Sequence, residues 1–179
     1  SDGANGYKDF VTLAYSAAGV PLWTNRYDGP WPYDSDRAQA MALDAQGNVF
    51  VTGPGSDGIT TIKYSGLGVS LWTNQFNWPG NRSDYAQAVT VGPNGNIFVT
   101  GPSQDQTGGT LAQDYLTLAY TPGGVLLWSN RYNGPLNRND RPNAIAVTSQ
   151  GTVVVTGYSD LEGLGNVSDA VTIAYSSAG

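Results

Sequence analysis

The sequence contains no cysteine and no histidine in its 179 residues. The lack of cysteine excludes disulfide bonds, thiolate metal sites and cysteine nucleophiles. The lack of histidine removes the side chain that most often serves as a general base or binds a metal ion. Basic residues are also scarce, because 8 lysines and arginines against 14 acidic residues give a net charge of −6, the wrong sign for a nucleic-acid binder. No apolar run approaches the roughly 18 residues of a membrane span.

Turn-forming residues are abundant, with 24 glycines and 10 prolines, and three phrases recur along the chain. One reads VPLWTNRYDGP, VSLWTNQFNWP and VLLWSNRYNGP, and a second reads VTLAY, TTIKY, LTLAY and VTIAY. The third reads QAMALDAQGNVFVTG, QAVTVGPNGNIFVTG and NAIAVTSQGTVVVTG. Their spacing gives a unit of about 50 residues, longer than most short repeats. The repeated aromatic residues, which we expect to be structural, are Trp23, Trp72, Trp128, Tyr15, Tyr64, Tyr120 and Tyr175.

Each unit resolves into four short strands, named A to D. In one copy these are A (38–43), B (49–52), C (59–64) and D (69–76). β-branched residues alternate along the runs, and glycine follows glutamine or asparagine in the turns, as hairpins require. Tandem four-stranded units of this length predict an all-β fold, a β-propeller in which each unit is one blade.

The predicted strands leave the ring incomplete. Strands C and D of a split blade (9–27) precede two full blades (38–76 and 86–132), and strands A, B and C follow (143–175). These thirteen strands form one propeller segment of 3 to 3.5 blades, whereas propellers close with about four to eight. We therefore expect a homodimer or a higher closed ring, in which a partner's Val20–Tyr27 provides the missing D strand. The alternative is a fragment of a longer natural or engineered propeller.

The repeated phrases, from Asp9 to Tyr175, resemble the bacterial β-propeller repeats often called SBBP repeats. The resemblance implies a propeller architecture and a secreted or cell-surface bacterial protein without an assigned chemistry. Two positions depart from the pattern: Gly58 stands where the other C strands begin with aspartate, and Lys63 stands where they have alanine. We expect the C strand of that blade to be less well buried.

The connections on one face of the predicted ring vary in length and sequence, over 54–58, 102–113 and 158–168. Variable loops on a uniform scaffold are typical of a binding surface, here for a glycan or a protein. An alternative for the aspartates that repeat before each strand A is that they accept backbone hydrogen bonds and brace the loop. The candidate binding residues on this face are Trp31, Tyr33, Asp36, Arg37, Trp78, Arg82, Asp84, Tyr85, Arg138, Asp140 and Arg141.

A catalytic role is not expected. Glu162 is the only glutamate, and carboxylate catalysis of the glycosidase type needs a pair of acids. No cofactor and no metal are expected either, because Asp34 and Asp36 fall short of the six to eight oxygen ligands that calcium takes. The sequence thus favours a structural propeller module that self-associates to complete a ring, in an extracellular or cell-surface location. The alternative is an extracellular glycan- or protein-binding propeller.

Overall fold

The computed structural model describes residues 6–30, 35–55, 58–79, 83–105, 112–160 and 168–179. In these ranges the chain is all-β, with thirteen strands in four antiparallel sheets and no helix, as predicted. No helix that could cross a membrane occurs in the same ranges. The strands are β1 (Phe10–Tyr15), β2 (Pro21–Tyr27), β3 (Ala40–Leu43), β4 (Val49–Gly55), β5 (Gly58–Tyr64), β6 (Ser70–Phe76), β7 (Ala88–Val91), β8 (Ile97–Asp105), β9 (Ala112–Tyr120), β10 (Leu126–Tyr132), β11 (Asp140–Val147), β12 (Val153–Ser159) and β13 (Asp169–Tyr175).

Sheet membership follows chain order. The first sheet is β1–β2, the second is β3 to β6, the third is β7 to β10 and the fourth is β11 to β13. Tight turns join β3 to β4 and β7 to β8, and Gly47 and Gly95 occupy the left-handed region there with φ of 78° and 81°, a conformation that glycine adopts without steric cost. The four sheets do not close into a ring.

Two hairpins are longer than the sequence predicts. Strand β4 continues to Gly55, which pairs with Gly58 of β5, and β8 continues to Asp105, opposite Ala112 of β9. Pro54 was expected to begin a loop, but proline is tolerated near the end of a strand where no N–H is needed. Its carbonyl accepts a hydrogen bond from the backbone N–H of Arg37 at 3.1 Å. The variable connections on this face are therefore shorter than predicted.

The sheets stack face to face and bury three apolar clusters between them. The alternation of side chains along each strand gives every inner sheet two apolar faces, one for each neighbour. Phe10 and Ile62 lie between the first and second sheets, Phe50 and Leu118 between the second and third, and Phe98 between the third and fourth. Burial of these faces is the main source of stability in such a stack.

Neighbouring sheets approach most closely at their first strands, β3, β7 and β11. The sheets therefore converge along one edge of the stack. Within these sheets, glycine lets the second strand lie close to the chain at or just before the first strand. A Cβ added to Gly53 would collide with the backbone carbonyl of Arg37, and one added to Gly101 or Gly157 would collide with that of Tyr85 or Arg141.

The prediction of a less buried C strand around Lys63 is wrong. Strand β5 is buried along almost its whole length, and Lys63 is only 8% exposed. Its ammonium group donates a hydrogen bond to the carbonyl of Pro122 at 3.1 Å and lies 5.1 Å from the centre of the Phe50 ring. The long side chain thus reaches a polar partner on the next sheet while its stem covers apolar surface.

Candidate functional site

One contact recurs at every junction between sheets. The tryptophan of each last strand donates its indole N–H to a carbonyl in the turn of the following sheet, and its ring packs on the tyrosine just before that turn. The three donor–acceptor pairs are Trp23 with Gly66 (3.0 Å), Trp72 with Pro122 (3.1 Å) and Trp128 with Ser177 (3.1 Å). The corresponding ring centres are 6.0 Å from Tyr64, 6.4 Å from Tyr120 and 5.8 Å from Tyr175.

An asparagine two residues further along strengthens the same junction. Asn25 donates to the carbonyl of Gly68 at 2.7 Å, and Asn74 donates to the carbonyl of Gly124 at 2.6 Å. These glycines have φ of +80° and +87°, and their Cα atoms face the indole so closely that an added Cβ would meet it at 2.7 and 2.9 Å. Each junction is therefore a built tryptophan site, made of a tyrosine ring, a turn carbonyl and a left-handed glycine.

The first sheet carries a fourth copy of this site without a tryptophan in it. Tyr15 is 57% exposed, whereas Tyr64 and Tyr120 are 4% and 3% exposed. Gly19 has φ of +76° like its counterparts, yet no described atom lies within 4 Å of an added Cβ. Leu13, on the same face, is 51% exposed. Tyr15 therefore does not pack between sheets as the other repeated tyrosines do, because no described sheet covers this face.

The outer face of the fourth sheet is open in the same way. Thr172 is exposed, whereas the matching Thr61 and Thr117 are 0% exposed in the inner sheets. Thr156, beside it on β12, is also exposed, and its hydroxyl lies 2.9 Å from that of Thr172. Among the described strands, β13 pairs with β12 only. The position that β6 and β10 fill in the complete sheets is therefore taken by no described strand. The two ends of the stack are thus a pair of unlike, uncovered faces.

A groove of about 300 Å³ runs beside the free edge of β1, and we call it the edge groove. It lies between β1 and the first strand of the second sheet, β3. In the third sheet the corresponding position, next to β9, is occupied by β8. Its walls include Val11, Leu13, Ala38, Ala40, Met41 and Val51. The groove therefore has the position of a missing second strand.

A second cavity of about 370 Å³, the loop cleft, opens at the end of the stack that carries the variable connections. It brings together three of the predicted binding residues, Arg37, Asp84 and Tyr85. Lys8 and Pro54 also line the cleft. Arg37 is exposed and Tyr85 is 38% exposed. The cleft offers a cation and an aromatic ring to a ligand, whereas Asp84 is only 2% exposed.

The aspartates that repeat before each first strand are buried and act on the backbone. Each carboxylate accepts a hydrogen bond from an N–H in the preceding loop, which is the geometry of the bracing interpretation. The bonds run from Gly29 to Asp36 (2.6 Å), from Trp78 to Asp84 (2.5 Å) and from Gly134 to Asp140 (2.6 Å). Burial raises the pKa of Asp140, although the Gly134 N–H and the neighbouring Ser159 hydroxyl oppose this shift.

The other predicted binding residues do not join the loop cleft. Trp78 packs against the core between the second and third sheets, with its ring 6.4 Å from that of Phe76 and 5.9 Å from the Arg131 guanidinium. Arg138 and Arg141 are exposed near the start of the fourth sheet. Trp31, Tyr33 and Arg82 lie outside the described residues. Among the described residues, no group of three or more histidine, cysteine or acidic side chains is arranged to hold a metal.

Two features of these surfaces were missed from the sequence. Lys8 precedes β1 and carries no repeat signal, so only the folded structure brings it to the loop cleft. Two ion pairs were also missed: Arg26 of β2 with Asp9, just before β1, and Arg131 of β10 with Asp114 of β9, the latter at 2.9 Å. The sequence did carry a signal for these pairs, because in the second sheet both charged residues are replaced together, by Gly58 and Gln75.

No family model and no curated protein matches the chain. Among solved structures it is similar to a protein of unknown function from Bacteroides caccae, with 16% sequence identity and a TM-score of 0.35. The match covers 82% of this chain and 64% of that chain, so this chain spans less than two thirds of that neighbour. The resemblance to SBBP repeats and the propeller architecture stay predictions.

Proposed function

We propose that the chain is a structural propeller module whose role is self-association, with a second copy completing the ring. The observation that carries the proposal is the exposure of Leu13 and Tyr15, at 51% and 57%. At the same repeat position the inner sheets have Ile62 and Leu118, which are 1% and 0% exposed. A face of this kind gains free energy when apolar side chains leave water, and uncovered sheet ends promote association.

The two open ends complement each other. The open face of the first sheet corresponds to the face with which each inner sheet contacts the sheet before it. The open face of the fourth sheet corresponds to the face with which each inner sheet contacts the sheet after it. Contacts between unlike faces of identical chains close into a ring when their rotation permits it, and two-fold closure is the commonest case. On this proposal the chain does no catalysis, and its resemblance to SBBP repeats supports a location outside the bacterial cell or on its surface.

A charge on one open face tests the proposal. Thr172→Glu puts a carboxylate where the inner sheets bury a threonine, so it should abolish the dimer and leave the isolated chain folded. Thr73→Glu is the matched control, because Thr73 is an exposed threonine on a strand of an inner sheet. Sedimentation velocity should give a dimer for the parent chain and the control and a monomer for Thr172→Glu. A monomeric parent chain would contradict self-association and favour the alternative of a longer single-chain propeller.

The loop cleft supports a second candidate function, the binding of a glycan or a protein segment. Arg37 and Tyr85 combine a hydrogen-bond donor with an aromatic ring, and both are accessible in a cavity of about 370 Å³. The test is a glycan array probed with the parent chain and with the Arg37→Ala/Tyr85→Ala variant. Signals that the variant loses would support this function, and an array without signals would contradict it for glycans.

A further inference from the structure

We infer that the second copy joins by strand exchange, in which its β13 displaces β1 from β2. The inference rests on the proposed self-association and identifies the segment that carries it. The second copy's fourth sheet would then gain β2 as its missing fourth strand. The joined sheet would lie between the second sheet of one copy and the third sheet of the other. The second sheet would cover the open face of the fourth sheet, and β13 would replace β1, with its exposed Leu13 and Tyr15, in the first.

The two competing strands have nearly the same sequence. The segment from Asp9 through β1 reads DFVTLAY, and β13 reads DAVTIAY. β1 pairs with β2 in an antiparallel register that places Leu13 opposite Thr24. β9 pairs with β10 in the matching register, so the contact is a general property of the third and fourth strands. β13 therefore fits β2 in the register that β1 holds.

Charge complementarity points to the same pairing. Asp9 is 6% exposed and forms an ion pair with Arg26 of β2, and the pair of Asp114 with Arg131 repeats it in the third sheet. Asp169 occupies the equivalent position on β13, but no described strand lies on the other side of β13. After exchange, Asp169 of the second copy lies beside Arg26 in place of Asp9.

Strand direction favours replacement over simple addition. β1 and β13 both correspond by repeat position to β5 and β9, the third strands of the complete sheets. They therefore run in the same direction relative to the stack. If both stayed in one five-stranded sheet, they would pair in parallel, whereas every strand pair in the described structure is antiparallel. A tight antiparallel pairing forms only when one of them leaves, and β1 is the strand with no other partner in its sheet.

The edge groove provides room for the incoming sheet. It runs along the free edge of β1, between Leu13 and Met41. β12 is bonded to β13 throughout its length, so a β13 that takes the position of β1 brings β12 into this groove. There Val153 to Ser159 would occupy the position that β8 has beside β9. The groove and the open β13 edge are thus filled by one event.

Phe10 opposes the exchange and holds β1 in place. It is 1% exposed, and its ring packs edge-on against Tyr27 at 5.9 Å. β13 has Ala170 at this position, so exchange gives up the burial of an aromatic ring. Phe10→Ala removes this difference between the two strands. Phe10→Ala should therefore increase the fraction of dimer. Ile59→Ala is the control, because it truncates the buried side chain at the same position of the second sheet and should not increase the fraction of dimer.

Cysteine pairs test the exchange directly, since the chain has no cysteine of its own. Thr24→Cys/Ile173→Cys places thiols at positions that face each other only after exchange, so oxidation should link two chains covalently. Leu13→Cys/Thr24→Cys is the matched variant, because these residues are opposite each other within one chain. Oxidation should lock β1 onto β2 and abolish the dimer, and reduction should restore it. Masses from light scattering and non-reducing gels report both results.

The outcomes separate the exchange from the proposed self-association. A locked Leu13→Cys/Thr24→Cys chain that still dimerises would overturn the exchange and leave self-association standing. Parent chain and variants that all stay monomeric would overturn both. If the engineered disulfides perturb folding, charge variants give a second reading. Asp9→Asn removes the ion pair that holds β1 on β2, so it should tighten the dimer about threefold. Asp169→Asn removes the ion pair that would hold β13 there, so it should weaken the dimer similarly, and Asp114→Asn is the control. Shifts of the same sign would contradict the exchange.

Discussion

Trp72 donates its indole N–H to the carbonyl of Pro122, which lies 50 residues further along the chain, at a distance of 3.1 Å. The bond joins the second sheet to the turn of the third. Because the same contact joins the first sheet to the second and the third to the fourth, each sheet is held by a tryptophan from the sheet before it. Only the first sheet among those described has the receiving residues without the tryptophan, and this difference underlies the predictions that follow.

The first prediction compares two glycines with the same backbone conformation. Gly124→Ala should destabilise the protein more than Gly19→Ala, because an added Cβ at 124 meets the Trp72 ring at 2.9 Å whereas the site at 19 is open. The left-handed φ costs each variant about 1–2 kcal/mol. Overpacking should cost Gly124→Ala about 1–3 kcal/mol more. Urea denaturation gives both values, and equal losses would show that the tryptophan site does not hold the sheets together.

The second prediction concerns Trp78. Its ring contacts Phe76 and the Arg131 guanidinium. Trp78→Ala should therefore lower the free energy of unfolding by about 2–4 kcal/mol, a little less than the truncation of a fully buried aromatic side chain does. Leu67→Ala serves as the control, because Leu67 is 86% exposed. Thermal unfolding followed by circular dichroism measures both. An unchanged stability for Trp78→Ala would restore the interpretation of Trp78 as a surface platform for a ligand.

The third prediction is a pH dependence. Burial, with a smaller effect of the Asp140 charge, raises the pKa of Tyr115 from 10.0 to about 12. The unfolded chain therefore loses this proton at lower pH than the folded chain does, so the free energy of unfolding falls as the pH rises from 10 toward 12. Tyr115→Phe should show a shallower fall. Denaturant titrations across this range compare the two proteins, and parallel curves would contradict the assignment.

The repeats made the strands predictable, because hydrophobic alternation and glycine turns are local properties. The thirteen strands follow from them, and the hydrogen bonds that Asp36 and Asp84 accept from the backbone are those that a brace requires. The ends of the hairpins were less predictable, since Pro54 resembles a loop residue but lies in β4.

Features that depend on neighbours could not be predicted from one repeat. Lys63 breaks the local pattern, yet Pro122 on the next sheet provides its acceptor. Tyr15 follows the local pattern, yet it is exposed because no described sheet precedes it. The loop cleft depends on Lys8 reaching Arg37 and Tyr85 from another sheet. Such proximity is a property of the stacked sheets and leaves no mark on the repeat itself.

The mass of the assembled protein tests the central claim most directly. Native mass spectrometry of the parent chain, recorded over a range of concentrations, distinguishes one copy from two without any substitution. Self-association through the open end sheets predicts a predominant species at twice the chain mass of 18.8 kDa. A single folded species at 18.8 kDa at every concentration would contradict it.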